Sequence, residues 1–152
     1  MSAATKRRKH LVLFLTVLIT FLLLASVFVI HCLKLAFSED LFVKKGSLDY
    51  YLVIERIIRN FPTRDLIAEE WYYHTCGDGT KPPGNELRFL TRADRETVTR
   101  DIDTYLTRNG YERKNGPGPA EQIEYGKSGQ TIRVRIGGAQ GPPFEVVVWL
   151  YY

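Results

Sequence analysis

Residues 11–30 read LVLFLTVLITFLLLASVFVI, twenty residues without a charge in which Thr16, Thr20 and Ser26 are the only polar side chains. At about 1.5 Å rise per residue they make a helix of ~30 Å, the hydrocarbon thickness of a bilayer. A soluble core helix seldom runs so far without a polar face, so the stretch predicts a transmembrane helix, extendable to residue 37. Its three small hydroxyls can donate to a carbonyl one turn earlier. A cleaved secretory signal has a shorter apolar region, about 7 to 15 residues, ending at a small-residue cleavage site. Here the exit is Val29-Ile30-His31-Cys32-Leu33-Lys34, without an Ala-x-Ala pattern, and His31 stands where a lipoprotein signal needs a small residue before its cysteine. An uncleaved anchor is the expectation.

The flanks set its direction. Lys6, Arg7, Arg8 and Lys9 precede the span, whereas Lys34, Glu39, Asp40, Lys44 and Lys45 follow it as a mixed set. Basic residues beside a span stay on the cytoplasmic side. Residues 1–10 are therefore expected to be a cytoplasmic tail and everything after the span to lie outside, in the periplasm if the host has two membranes. The protein would then be integral to the cell, or inner, membrane.

The same four residues carry the whole charge imbalance. The chain has 21 Lys+Arg and 17 Asp+Glu, and without the tail the basic count is also 17. A formally neutral body has no clustered basic surface of the kind that holds nucleic acid, so no nucleic-acid partner is expected. Two cysteines, Cys32 at the membrane exit and Cys76 far along the chain, are too few for a disulfide scaffold.

Residues 38–45 read as a connector, and 46–152 as one domain long enough to bury a real core. Ser47 is a good cap for a helix over 47–60, where Leu48, Tyr51, Leu52, Ile54, Ile57 and Ile58 make a wide apolar face until Pro62 ends it. A second helix begins at Thr91 or Asp94. It carries Val98, Ile102, Tyr105 and Leu106 at helical spacing, shows Arg100, Asp101, Asp103 and Arg108 on its other face, and stops at Gly110.

Strand patterns surround the helices. Residues 66–75 and 86–90, separated by a Gly- and Pro-rich stretch, predict a long-looped hairpin. Residues 111–113, 122–125 and 131–136 follow the second helix, and in the last of these Ile132, Val134 and Ile136 alternate with Arg133 and Arg135, the mark of one wet face. Residues 144–152 are apolar on both faces apart from Glu145, which predicts a central strand. The sum is an α+β chain: one N-terminal transmembrane helix, then a small outer domain whose antiparallel sheet is packed by two helices.

Few residues gather into anything chemical. His74, Cys76 and Asp78 are the one crowd of potential ligands or catalytic groups, and a thiol and imidazole two apart on a strand can meet. Zinc would need two more ligands, yet the other histidines, His10 and His31, flank the span. No metal and no cofactor are expected, and the strand end is the simpler account. The glycines at 137, 138 and 141 lead into Pro142, Pro143 and a strand, so they lack the helix N-terminus that a phosphate loop needs. Glu69 and Glu70 point to opposite faces of a strand, and Asp101 and Asp103 lie on a polar helix side, so neither pair converges on a cleft as glycosidase acids do.

Arg133 and Arg135 share a strand face, with Arg88, expected near them on a neighbouring strand, as a third candidate. Guanidinium groups on a rigid sheet suit recognition of carboxylates or phosphates. The simpler account is a solvent face balanced by Glu124 or Glu145 across the strands. Taken together, the residues predict a membrane-anchored, non-catalytic domain that binds a protein or an envelope component, one form of which is an inhibitor or immunity-type protein. The alternative is a membrane-tethered enzyme using the His74, Cys76 and Asp78 loop.

Overall fold

A computed structural model describes residues 3–36, 40–75, 83–114, 122–137 and 141–152. The chain divides into two units, Met1–Phe37 and Ser38–Tyr152. The first is a single helix, α1 (Ala3–Ala36). Within it Val12–Lys34 is long and apolar enough to cross a membrane, as a membrane anchor or a signal sequence would. Its hydroxyls are spent inside the helix: Thr16 Oγ1 donates to the Val12 carbonyl at 2.9 Å, Thr20 Oγ1 to Thr16 at 2.9 Å and Ser26 Oγ to Leu22 at 2.8 Å. None of these three side-chain donors is then left without a partner. The backbone of Lys6, Arg7, Arg8 and Lys9 forms part of the same helix.

The second unit is an α+β fold, as the sequence predicts. Its elements are β1 (Asp40–Phe42), α2 (Leu48–Val53), α3 (Arg56–Arg59), β2 (Leu66–His74), β3 (Gly84–Thr91), α4 (Arg95–Arg108), β4 (Glu112–Lys114), β5 (Gln122–Lys127), β6 (Gln130–Gly137) and β7 (Phe144–Tyr151). The strands form one antiparallel sheet in the order β1-β2-β3-β7-β6-β5-β4. β7 occupies the middle, as its apolar run predicts. The outermost strands are the two three-residue ones, and β1 covers only Tyr72–His74 of β2, so among the described strands Leu66–Glu70 is paired on the β3 side alone. Asp40–Phe42, within the stretch expected to be a connector, is an edge strand paired with Tyr72–His74.

One face of the sheet is dry. Leu87 and Phe89 of β3, Val146, Val148 and Leu150 of β7, and Ile132, Val134 and Ile136 of β6 are all buried on it. α4 supplies Val98, Ile102 and Leu106 to the same core. Burying one such side chain contributes about 1.5 to 3 kcal/mol. Of the two caps considered, Asp94 is the one used: its Oδ1 accepts from the Thr97 N–H at 2.8 Å, which holds its carboxyl below the usual range. Thr91 is buried instead, where its hydroxyl accepts from the Ala93 N–H. Gly110, with φ of +80°, reverses the chain after the helix. Asp103, expected on the solvated side, accepts a hydrogen bond from the buried Tyr125 hydroxyl.

The first helix of this unit departs from expectation. Ser47 caps it, but it stops at Val53 and restarts at Arg56. Asn85, 1% exposed, accounts for the break: its Oδ1 accepts from the Glu55 N–H at 2.7 Å and its Nδ2 donates to the Val53 carbonyl at 2.9 Å. The interruption also rotates the residues. Tyr50, Ile54 and Ile58 are buried, whereas Leu48, Tyr51 and Leu52, read as part of the core-facing stripe, are exposed.

Buried phenols tie this core to pH. Burial pushes the hydroxyls of Tyr105, Tyr111 and Tyr125 upward, and the Asp103 carboxylate adds to the effect at Tyr125. In the unfolded chain a tyrosine titrates near 10. These groups therefore hold their protons longer folded than unfolded, and their contribution, complete below pH ~10, is lost as pH rises above it. Each fully affected group lowers stability by about 1.4 kcal/mol per pH unit. In an alkaline titration, part of the phenolate absorbance is expected only together with loss of the far-ultraviolet dichroism. Ionisation of all nine tyrosines in one ordinary step, with the fold intact, would contradict this.

Candidate functional site: the open face of the sheet

The second face of the sheet is set by strand alternation, and among the described residues no helix packs on it. Register places its side chains in rows across the strands. One row runs Phe42, Tyr72, Glu86, Trp149, Arg133, Glu124 and Lys114 from edge to edge. The next runs Glu70, Arg88, Val147, Arg135 and Gln122. The three arginines singled out from sequence thus share a face. Arg88 and Arg135 are not on adjacent strands, because β7 lies between them and Val147 is the register partner of both. Val147 is 1% exposed although it points away from the helices. Long basic stems cover apolar surface in this way while their heads reach solvent.

Each arginine has both a carboxylate and a ring. Arg88 Nε donates to Glu86, Arg133 Nη2 lies 3.3 Å from Glu124 and Arg135 Nη2 lies 3.8 Å from Glu145. The guanidinium of Arg88 sits over Tyr72 at 5.3 Å, that of Arg133 over Tyr151 at 5.6 Å and that of Arg135 over Trp149 at 5.6 Å. The Glu124 and Glu145 balance foreseen in the sequence is present. These are not bare cations awaiting an anion. They are flat guanidinium-on-ring pairs, weakly hydrated and held in place, a kind of surface that is inexpensive to desolvate against a partner.

His74 ends the same face. Its Nδ1 is 2.5 Å from Asp40 Oδ1, its Nε2 is 3.0 Å from Glu86 Oε2, and its ring stacks on Tyr72 with centroids 6.3 Å apart. Glu86 is thereby shared between His74 and Arg88, which explains how a carboxylate 4% exposed is tolerated. With both ring nitrogens against carboxylates, the imidazole has none turned toward a thiol. Cys76 and Asp78 lie outside the described residues. Among the described residues no three His, Cys, Asp or Glu side chains are grouped to hold a metal ion.

Glu69 and Glu70 separate as expected, Glu69 pairing with Lys45 at 2.6 Å and Glu70 accepting from the Tyr72 hydroxyl at 2.8 Å. Sequence reading passed over Tyr72, Trp149, Tyr151 and Glu86. The available signal was parity: Trp149 and Tyr151 alternate with Val148 and Leu150, so they share the face opposite the core. No protein-family model, no curated protein and no solved structure matches the chain.

Proposed function

We propose that this protein is a single-pass membrane protein of the cell (inner) membrane, with its N-terminus cytoplasmic, whose outer domain binds a protein or an envelope component through the open face of its sheet. Lys6, Arg7, Arg8 and Lys9 before the apolar helix support the orientation. The observation that carries the binding role is the pairing of Arg88, Arg133 and Arg135 with Tyr72, Tyr151 and Trp149 on a face no described helix covers. Arginine, tryptophan and tyrosine are the residues that most often dominate binding energy at interfaces. An inhibitor or immunity-type protein is one form of this role. The binding of nucleic acid is not part of it, since the body of the chain is formally neutral.

Photo-cross-linking in intact cells tests the reading. A photoreactive side chain at position 149 is expected to capture one discrete partner, whereas the same group at exposed position 104 on α4 captures none. Arg133→Glu combined with Arg135→Glu should lower the position-149 adduct about tenfold, the loss of roughly 1.4 kcal/mol, while the domain remains folded and still melts cooperatively. Adducts from position 104 alone would move the site to the helical side. If Cys76→Ser instead abolished function in a protein that melts normally, the tethered-enzyme alternative would replace this reading.

A further inference from the structure

The break in the first helix of the outer domain leaves an apolar patch where solvent is expected. Leu48, Tyr51 and Leu52 occupy one side of α2 at helical spacing and are 57%, 59% and 46% exposed, while Tyr50 on the other side is buried. Three large apolar side chains gathered on so short an element mark a contact surface. The surroundings are basic: Lys44, Lys45 and Arg56 are exposed, and the Arg59 guanidinium lies over the Tyr51 ring at 5.5 Å. Lys45 is paired with Glu69, and Glu55 is occupied by the Tyr152 hydroxyl at 2.7 Å. Asp49 is the one acidic residue within α2.

An apolar helix face with a tyrosine and a basic rim is what the headgroup layer of a bilayer accommodates, the rim meeting anionic lipid. α2 starts about fourteen residues after Lys34, the end of the membrane-crossing stretch. Asp40–Phe42, between the two, is β1, part of the sheet, so it is the outer domain as a whole, α2 included, that an anchoring span would hold at high effective concentration near a bilayer. We propose that the Leu48, Tyr51 and Leu52 face of α2 docks onto the surface of an anionic bilayer. The proposal rests on the membrane-anchor reading above and adds a second, peripheral attachment to it.

The full chain, reconstituted into phosphatidylcholine vesicles with and without phosphatidylglycerol, provides the test. A photoreactive diazirine side chain is placed at position 52 or, for comparison, at position 104, and lipid adducts are counted by mass. Position 52 should give lipid adducts well above position 104, and more with phosphatidylglycerol than without. Lys44→Gln and Arg56→Gln should each lower the yield about fivefold, the share of one basic residue near an anionic surface. Equal yields at the two positions would overturn the proposal, as would adducts at position 52 with a second copy of the chain. Protease treatment of the same vesicles separates the two readings. A protected span without position-52 lipid adducts sinks the docking alone, whereas an unprotected span removes the anchor and the docking together.

Discussion

Truncation after Glu145 is expected to abolish folding of the outer domain. The missing residues are the greater part of β7, which pairs with β3 on one side and β6 on the other. Without it the sheet falls into two three-stranded pieces with no shared edge. Val146, Val147, Val148 and Leu150 are each at most 1% exposed. At about 1.5 to 3 kcal/mol per buried side chain these four alone represent ~6 to 12 kcal/mol, as much as the whole ~5 to 15 kcal/mol stability of a typical domain. The truncated chain should show no cooperative melting transition and should be degraded in cells. A truncated domain that still melts cooperatively would mean that β3 and β6 pair directly, and the sheet order described here would be wrong.

The middle position of β7 was readable because it is written locally, in a run whose one charged residue is Glu145. α4 was readable for the same reason, since Asp94, the Val98, Ile102 and Leu106 stripe and Gly110 all lie within one short stretch. The wet face of β6 followed from the alternation of Arg133 and Arg135, and their carboxylate partners from ordinary cross-strand pairing. What could not be read depends on contacts distant in the chain. Placing Arg88 beside Val147 requires knowing that β7 inserts between β3 and β6, an order that alternation does not encode. The Asp40 contact of His74 requires a strand within three residues, Asp-Leu-Phe, too short for any period to show. The exposure of Leu48, Tyr51 and Leu52 was hidden because a helical stripe looks the same whether or not the helix is interrupted.

That interruption leads to the second large expected effect. Asn85→Ala should destabilise the outer domain by about 2 kcal/mol, because it orphans two half-buried backbone groups, the Glu55 N–H and the Val53 carbonyl, each at the low end of the roughly 1 to 3 kcal/mol that a fully buried unpaired group costs. Both flank Ile54, which is 2% exposed, and the amide that bridges them, Asn85, is 1% exposed. The lost volume is a minor part of this cost, and Asn85→Leu separates the two causes. Leucine refills the space without restoring either hydrogen bond, so it should rescue little if hydrogen bonding dominates and most if the cavity does. Hydrogen exchange gives a local readout: the Glu55 amide should be protected in the parent and exchange much faster in both variants, ahead of the amides of β7. An Asn85→Ala protein that melts like the parent, with the Glu55 amide still slow, would show that the chain between α2 and α3 holds its bend without the side chain, as a continuous helix over 47–60 does not.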